Sequence, residues 1–170
     1  MATPATRDHP RTVKRLAQEY TEALQGLLGD ALVSVVLFGS TARGEATPLS
    51  DIDLLVVAED LPRGRFARLN RLRAADDMLR PHLEGLWKQD ILTDFHVVLK
   101  TRAEAAVVRP LYLDMVEDAV ILYDRDGFFA AILTRLRESL GRLGARRVRR
   151  GRMRYWDLKP DYRPGEVFSI

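Results

Sequence analysis

The 170-residue chain contains no cysteine, which excludes disulfides and thiolate metal sites outright. Its three histidines (His9, His82 and His96) are scattered, so the paired histidines of a zinc hydrolase are missing. No Gly-x-x-x-x-Gly-Lys-Ser/Thr occurs anywhere, which removes P-loop kinases and ATPases. No run of 18 apolar residues exists, so no membrane span is expected. The first residues, Met1 to Asp8, lack the charged-then-apolar pattern of a secretory signal, leaving the cytoplasm as the expected location. Lysine is scarce as well: Lys14, Lys88, Lys100 and Lys159 are the only four, and arginine carries the positive charge. With sulfur and clustered imidazole gone, any metal here must be a hard, oxygen-liganded one, with Mg²⁺ the first choice.

A 46% hydrophobic and 30% charged composition is that of an ordinary globular protein, long enough to bury a real core. The periodicities alternate between helix and strand. Apolar positions at helical spacing over 10–28 predict a helix, with Pro10 in its first turn and Gly29-Asp30 at its end. Ala31 to Phe38 is apolar on both faces and reads as a buried central strand. A short helical piece around Thr41–Glu45 and a second strand over about Asp51–Val57 follow. A second helix is expected from Leu61-Pro62-Arg63-Gly64 to a kink or end at Pro81. A third strand is expected at Ile91–Leu99. A Thr101/Glu104 capping box should open a helix near 102–108. Further helical stretches are expected at Pro110–Glu117 and Gly127–Leu143, with a fourth strand at Ala119–Tyr123. The fold class is therefore α+β, a mixed β-sheet of four to five strands with helices packed on it.

The chemistry is concentrated in one stretch. Leu37-Phe38-Gly39-Ser40-Thr41-Ala42-Arg43-Gly44-Glu45 is a small-residue turn, followed by Ser50-Asp51-Ile52-Asp53-Leu54-Leu55-Val56. On a strand, Asp51 and Asp53 point to the same face, about 6.6 Å apart along the chain. Two carboxylates brought together repel and resist desolvation, and folding alone gives no reason to pair them. A divalent cation, or two about 3.5–4 Å apart, removes the objection. The turn upstream offers backbone amides and a hydroxyl to phosphate oxygens. Phosphoryl or nucleotidyl transfer follows from metal plus phosphate cradle.

Gly39-Ser40, a gap of ten residues, then Asp51-x-Asp53 resembles the signature of the DNA polymerase β-like nucleotidyltransferases. Ala42-Arg43-Gly44 looks like the minimal prokaryotic branch, and the resemblance covers about residues 31–124. It implies a Mg²⁺-dependent transfer of a nucleoside monophosphate, AMP from ATP or another NTP, to a hydroxyl with release of pyrophosphate. In that scheme Asp51 and Asp53 are catalytic metal ligands, while Gly39, Ser40 and Arg43 bind the nucleotide phosphates. The family also uses a third carboxylate on a neighbouring strand. Asp94, inside the expected third strand and able to share a face with His96 and Val98, is the candidate, with Asp90 as fallback. Ser50 either orients a carboxylate or caps the turn. His96 is expected to be a satisfied, semi-buried residue, and Lys88 and Lys100 solvated charges. Small relatives adenylylate a helical HEPN-type toxin as its antitoxin, which is the favoured specific role. The alternative is a non-catalytic nucleotide-, RNA- or protein-binding module that retains the fold.

Residues 1–143 are expected to form the nucleotidyltransferase domain and 144–170 a basic, aromatic, extended C-terminal tail. From Arg135 onward, eleven Arg or Lys stand against four Asp or Glu. Six arginines lie between Arg146 and Arg154, beside Tyr155 and Trp156. That run could bind a nucleic-acid backbone; the preferred reading pairs its arginines with acids of their own domain or of a protein partner or homodimer mate. Trp156, Tyr162 and Phe168 are expected to anchor the tail.

Overall fold

The structure, a computed structural model, describes residues 4–151 and 153–170, with side chains from His9 onward except at 152 and 153. Helix α1 (Pro4–Leu28) leads through a 3₁₀ turn (Gly29–Ala31) into β1 (Leu32–Phe38), the short α2 (Gly39–Ala42) and β2 (Ile52–Ala58). Then come α3 (Arg65–Asn70), α4 (Arg73–Trp87), β3 (Phe95–Lys100), α5 (Arg102–Ala106), α6 (Pro110–Asp118), β4 (Val120–Asp124) and α7 (Phe128–Arg142). The chain ends with the hairpin β5 (Arg146–Arg150) and β6 (Met153–Asp157).

β1 to β4 form one mixed sheet in the order β3-β2-β1-β4. β1 runs antiparallel to β2 and β4, whereas β2 and β3 are parallel. Every residue of β1 is buried, as its unbroken apolar run requires of a strand covered on both faces. One face carries Val35, Leu37, Leu54 and Val56 against Leu16, Tyr20 and Leu24 of α1 and Leu79 of α4. The other carries Val36, Leu55 and Val57 against Tyr112 and Met115 of α6 and Phe129 and Leu136 of α7. Irregularities in β1 at Leu32/Ser34 and Val35/Val36 break its alternation, so Leu32 and Val35 share a face. The buried Ser34 hydroxyl donates to Asp124 at 2.6 Å, and Asp124 also accepts from the Phe129 and Ala130 amides, tying β1 and β4 to the start of α7.

Several expectations are met closely: the Thr101/Glu104 capping box is formed on both sides, and α7 buries Phe129, Ile132, Leu133, Leu136 and Leu140. Others shift. α1 starts at Pro4, so Pro10 lies inside it rather than in its first turn, and Pro81 lies inside α4 without ending it. The helix expected from residue 61 is two pieces, because the amides of Arg71 and Leu72 turn back to Arg68 and Leu69 at 3.1 and 2.9 Å. The third strand begins at Phe95, four residues late, since the Leu92 amide bonds to Pro48 and Thr93 is held by side-chain contacts instead of a ladder.

The largest difference is in the tail, whose first half is a β-hairpin. The two strands pair from Arg146↔Asp157 to Arg150↔Met153, around Gly151 at φ 62, a conformation that glycine adopts without strain. Ala145, Trp156 and Leu158 pack against the α6/α7 side of the core. Arg147, with only 17% of its side chain exposed, reaches Glu117 at 3.0 Å and Asp118 at 2.6 Å at the end of α6. Those two acids hold its guanidinium more firmly protonated than an ordinary arginine. The tail residues Tyr162 and Phe168 meet edge to face at 6.3 Å. Removing the Arg147 fork leaves two neighbouring carboxylates half-covered and unpaired. Arg147→Ala should therefore cost about 2 kcal/mol of stability, seen as a lower urea midpoint with an unchanged slope. An unchanged midpoint would detach the hairpin from the fold's energetics.

Candidate active site

The C-terminal end of β1 and the start of β2 lie side by side, with Phe38 opposite Asp53. The chain leaves β1 through a four-residue helix, α2, whose N-terminus has no side-chain cap. Gly39 has φ 72, and an added Cβ would stand 2.2 Å from Asp53 Oδ2. The absent side chain is thus what lets the carboxylate lie against the turn. Ser40 is half-buried beside it, and Thr41 is buried.

Thr41 explains how the two halves of the site stay in register: its hydroxyl donates to the Asp51 carbonyl at 3.2 Å. On the other flank, the buried Thr93 hydroxyl donates to the Ser50 carbonyl at 2.8 Å, and the Ile52 amide donates to the Asp94 carbonyl at 2.8 Å. Trp87 fixes Thr93 in turn, its indole N–H donating to the Thr93 carbonyl at 2.8 Å. The backbone around Asp51 is therefore pinned from both neighbouring segments. Ser50 caps the 47–50 turn, its hydroxyl accepting from the Thr47 amide at 2.9 Å.

Asp53 is the better defined of the two carboxylates. Its side chain is 25% exposed, and its Oδ1 lies 2.9 Å from His96 Nδ1. The parallel register, Asp53↔His96, brings the imidazole to the same face as the carboxylate. His96, expected to be a semi-buried bystander, is exposed and bonded to the central acid. The pairing of two strands 43 residues apart carries this information, and the single-strand pattern does not. Asp51 is exposed at the mouth.

Asp94 lies just outside β3, with its own carboxylate capping the Phe95 amide at 2.7 Å. It lines a hollow of about 310 Å³ with Tyr20, Asp76, Arg80 and Trp87. Burial raises the proton affinity of Tyr20 and Asp76, and the charge of nearby Asp94 adds to both. Asp90, the fallback, sits at φ 59 in the turn after α4. Among the described residues, no three of His, Asp and Glu are gathered tightly enough to hold a metal ion by themselves. Two hard carboxylates beside a capless turn nevertheless suit a divalent cation whose remaining ligands are phosphate oxygens and water. Arg43, at the end of α2, is 24% exposed and donates from Nε to Glu45 at 2.9 Å.

Residues 17–109 match the nucleotidyltransferase domain family, which is more than half of the chain, and the chain belongs to that family. A relative from Methanocaldococcus jannaschii, provisionally named a protein adenylyltransferase, is 32% identical over 133 residues, 78% of this chain and 86% of its own length. A second M. jannaschii protein with the same provisional name is 36% identical over 47 residues, 28% of this chain and 48% of its own. Among solved structures, a toxin–antitoxin with AMP-PNP aligns at TM-score 0.46 and 18% identity, covering 75% of this chain and 92% of that one. The complex of a tri-AMPylated Shewanella oneidensis HEPN toxin with its MNT antitoxin aligns at TM-score 0.43 and 16% identity, covering 78% and 92%. No helix among the described residues is long and apolar enough to cross a membrane.

Two outcomes test this geometry. Gly39→Ala has to displace the Asp53 carboxylate and adopt a left-handed backbone, so it should lose about 1–3 kcal/mol in chemical denaturation. A neutral Gly39→Ala would show that Asp53 does not depend on the bare glycine.

The second concerns Asp76, which burial pushes above the ordinary aspartate value, opposed by the Tyr20 hydroxyl donating to it at 2.6 Å. The folded protein binds this proton more tightly than the unfolded chain, so stability falls as pH rises from the unfolded value of 3.8 through the raised folded one. Asp76→Asn should flatten that decline and raise the melting temperature at neutral pH. An equal shift at pH 3 and pH 7 would contradict it.

Proposed function

We propose that the chain is a Mg²⁺-dependent protein adenylyltransferase, moving AMP from ATP to a hydroxyl of a partner protein and releasing pyrophosphate. The observation that carries the reading is Asp53, held against Gly39 and bonded to His96 at the mouth of a capless turn. The 32% identical relative, provisionally named for the same activity, supports it.

The residues divide the work. Gly39 and Ser40 present backbone N–H groups and a hydroxyl to the phosphates. Arg43 carries the planar fork that matches phosphate oxygens. Asp51 and Asp53 would hold the divalent cation, which supplies charge neutralisation at the transferred phosphorus. His96 orients Asp53 through its Nδ1 bond, fixing which oxygen faces the substrate. The acceptor hydroxyl oxygen attacks the α-phosphorus, the bond from that phosphorus to the bridging oxygen breaks, and pyrophosphate leaves with the electron pair. The hydroxyl proton passes to a carboxylate, with Asp94 or Asp53 available. The positioning of groups and their fixed charges supplies the rate, since the protein forms no covalent bond of its own.

The favoured acceptor is a helical HEPN-type toxin, with this chain as the antitoxin. The acceptor surface then comes from the partner, in line with a chain whose described elements consist of one sheet, its covering helices and a hairpin. With α-labelled ATP and the acceptor, Asp51→Asn and Asp53→Asn should each abolish transfer while retaining a cooperative melt, Asp53→Asn more completely. Asp94→Asn should cut turnover by orders of magnitude only if Asp94 takes the proton or completes the metal site. If instead His96→Ala cuts turnover and Asp94→Asn does not, the imidazole occupies the third position. Near wild-type transfer by Asp53→Asn would end the assignment, and stoichiometric nucleotide binding without pyrophosphate release would make the chain a binding module.

A further inference from the structure

Glu45 joins two parts of the chain that the nucleotidyltransferase match does not connect, for the match ends at residue 109. Its Oε2 accepts from Arg43 Nε at 2.9 Å, and its Oε1 accepts from Nη2 of Arg154, on β6. The two arginines, Arg154 above all, hold the Glu45 carboxyl at about 2, well under its ordinary value. Arg43 and Arg154 each keep only about a quarter of their side chains exposed (24% and 27%), while Glu45 between them is 46% exposed. Exposed ion pairs contribute little to stability, so folding does not account for two guanidinium groups converging on one solvent-facing carboxylate. A carboxylate that takes one N–H from each of two guanidinium groups occupies the kind of place a phosphate group takes.

The surroundings point the same way. Arg43, Arg146, Arg147, Arg149 and Arg154 line one cleft of about 920 Å³ against only Glu45, Glu117 and Asp118. Two of those acids are already matched by Arg147, which fixes the hairpin to α6. Arg146 is paired with Asp157 at 3.5 Å, and the five arginines still outnumber these four acids, so the cleft keeps a small positive excess; it opens beside the end of α2, the turn that carries Gly39 and Ser40.

We propose that Arg154 is a nucleotide-binding residue: the terminal phosphates of a nucleoside triphosphate take the position now held by the Glu45 carboxylate, between Arg43 and Arg154. The β5–β6 hairpin is then a wall of the active site and grips the leaving pyrophosphate. This rests on the nucleotidyltransferase reading above. Arg154 meets the charge that accumulates as the bond from the α-phosphorus to the bridging oxygen breaks and pyrophosphate departs with the electron pair. Glu45 is displaced towards solvent when the phosphates enter. The hairpin arginines are accordingly assigned to a small polyphosphate, not to a nucleic-acid backbone.

The test is calorimetric titration of the full chain with ATP, pyrophosphate and AMP, each with Mg²⁺, and with a single-stranded RNA, alongside melting curves. Arg154→Ala should weaken ATP and pyrophosphate by about tenfold or more, the scale of a lost charge-assisted hydrogen bond, and leave AMP unchanged. Arg154→Lys, which keeps the charge without the fork, should fall between. Arg150→Ala, an exposed hairpin arginine outside the cleft, should behave as wild type. Wild-type affinity of Arg154→Ala for ATP and pyrophosphate would overturn the proposal and leave the nucleotidyltransferase reading standing. So would an equal loss for AMP, which would mark a general distortion, or stronger retention of RNA than of pyrophosphate by the wild-type cleft. No ATP binding by the wild-type chain would overturn both.

Discussion

Asp53 can lie where it does only because residue 39 has no side chain. A Cβ there would sit inside the carboxylate's contact distance, and the backbone at Gly39 is in the left-handed region as well. That single close approach couples the β1–α2 turn to β2 and brings the Gly39 backbone and the Asp53 carboxylate within one contact of each other. The rest of the fold supports this junction. The sheet buries β1 completely, Thr41 ties the turn to the Asp51 backbone, and Thr93 with the Asp94 carbonyl pins the same segment from the stretch before β3. A site assembled from three segments is rigid because each contact removes one freedom from the next.

The electrostatics follow from that geometry. Asp53 is bonded to an imidazole, while the cleft beside the end of α2 is lined by arginine. Anionic and cationic halves flanking a small-residue turn suit a substrate that is itself a polyanion carrying a cation. The arginine-rich segment after residue 144 belongs to the positive half. Two of its charges are tied down: Arg147 and Arg154 are paired across the structure with α6 and with Glu45, so the segment closes over the domain where a loose basic arm would extend from it.

How much of this could be read from the sequence depended on how local the information was. The strand–turn–strand unit, the Thr101/Glu104 capping box and the apolar stripe of α7 are all written within a few residues, and each is formed as expected, whereas Asp51 lies just before β2. The start of β3 did not follow expectation, because Thr93 and Asp94 are held by Ser50 and Ile52, contacts 42 and 43 residues away that override strand propensity. His96 was undervalued for the same reason, since only the parallel register sets it opposite Asp53. The hairpin was hidden by composition. With Val148 as the one apolar residue of β5, no alternating stripe exists, and the strand is held by Arg147 on acids 29 and 30 residues earlier and by Trp156 packed on the core. The equal flanks around Gly151, with Tyr155 and Trp156 in the second strand, were the available signal.

The central claim is that Asp51 and Asp53 form half of a cation site whose other half arrives with the nucleotide. It is tested most directly by counting Mn²⁺ ions taken up by the chain, from the electron paramagnetic resonance signal of the free ion, with and without a non-hydrolysable ATP analogue. Because no three of His, Asp and Glu among the described residues are gathered to hold an ion, the account predicts little uptake by the chain alone. With the analogue present, it predicts one or two ions per chain, lost in Asp53→Asn. Tight uptake without nucleotide, or undiminished uptake by Asp53→Asn, would contradict it.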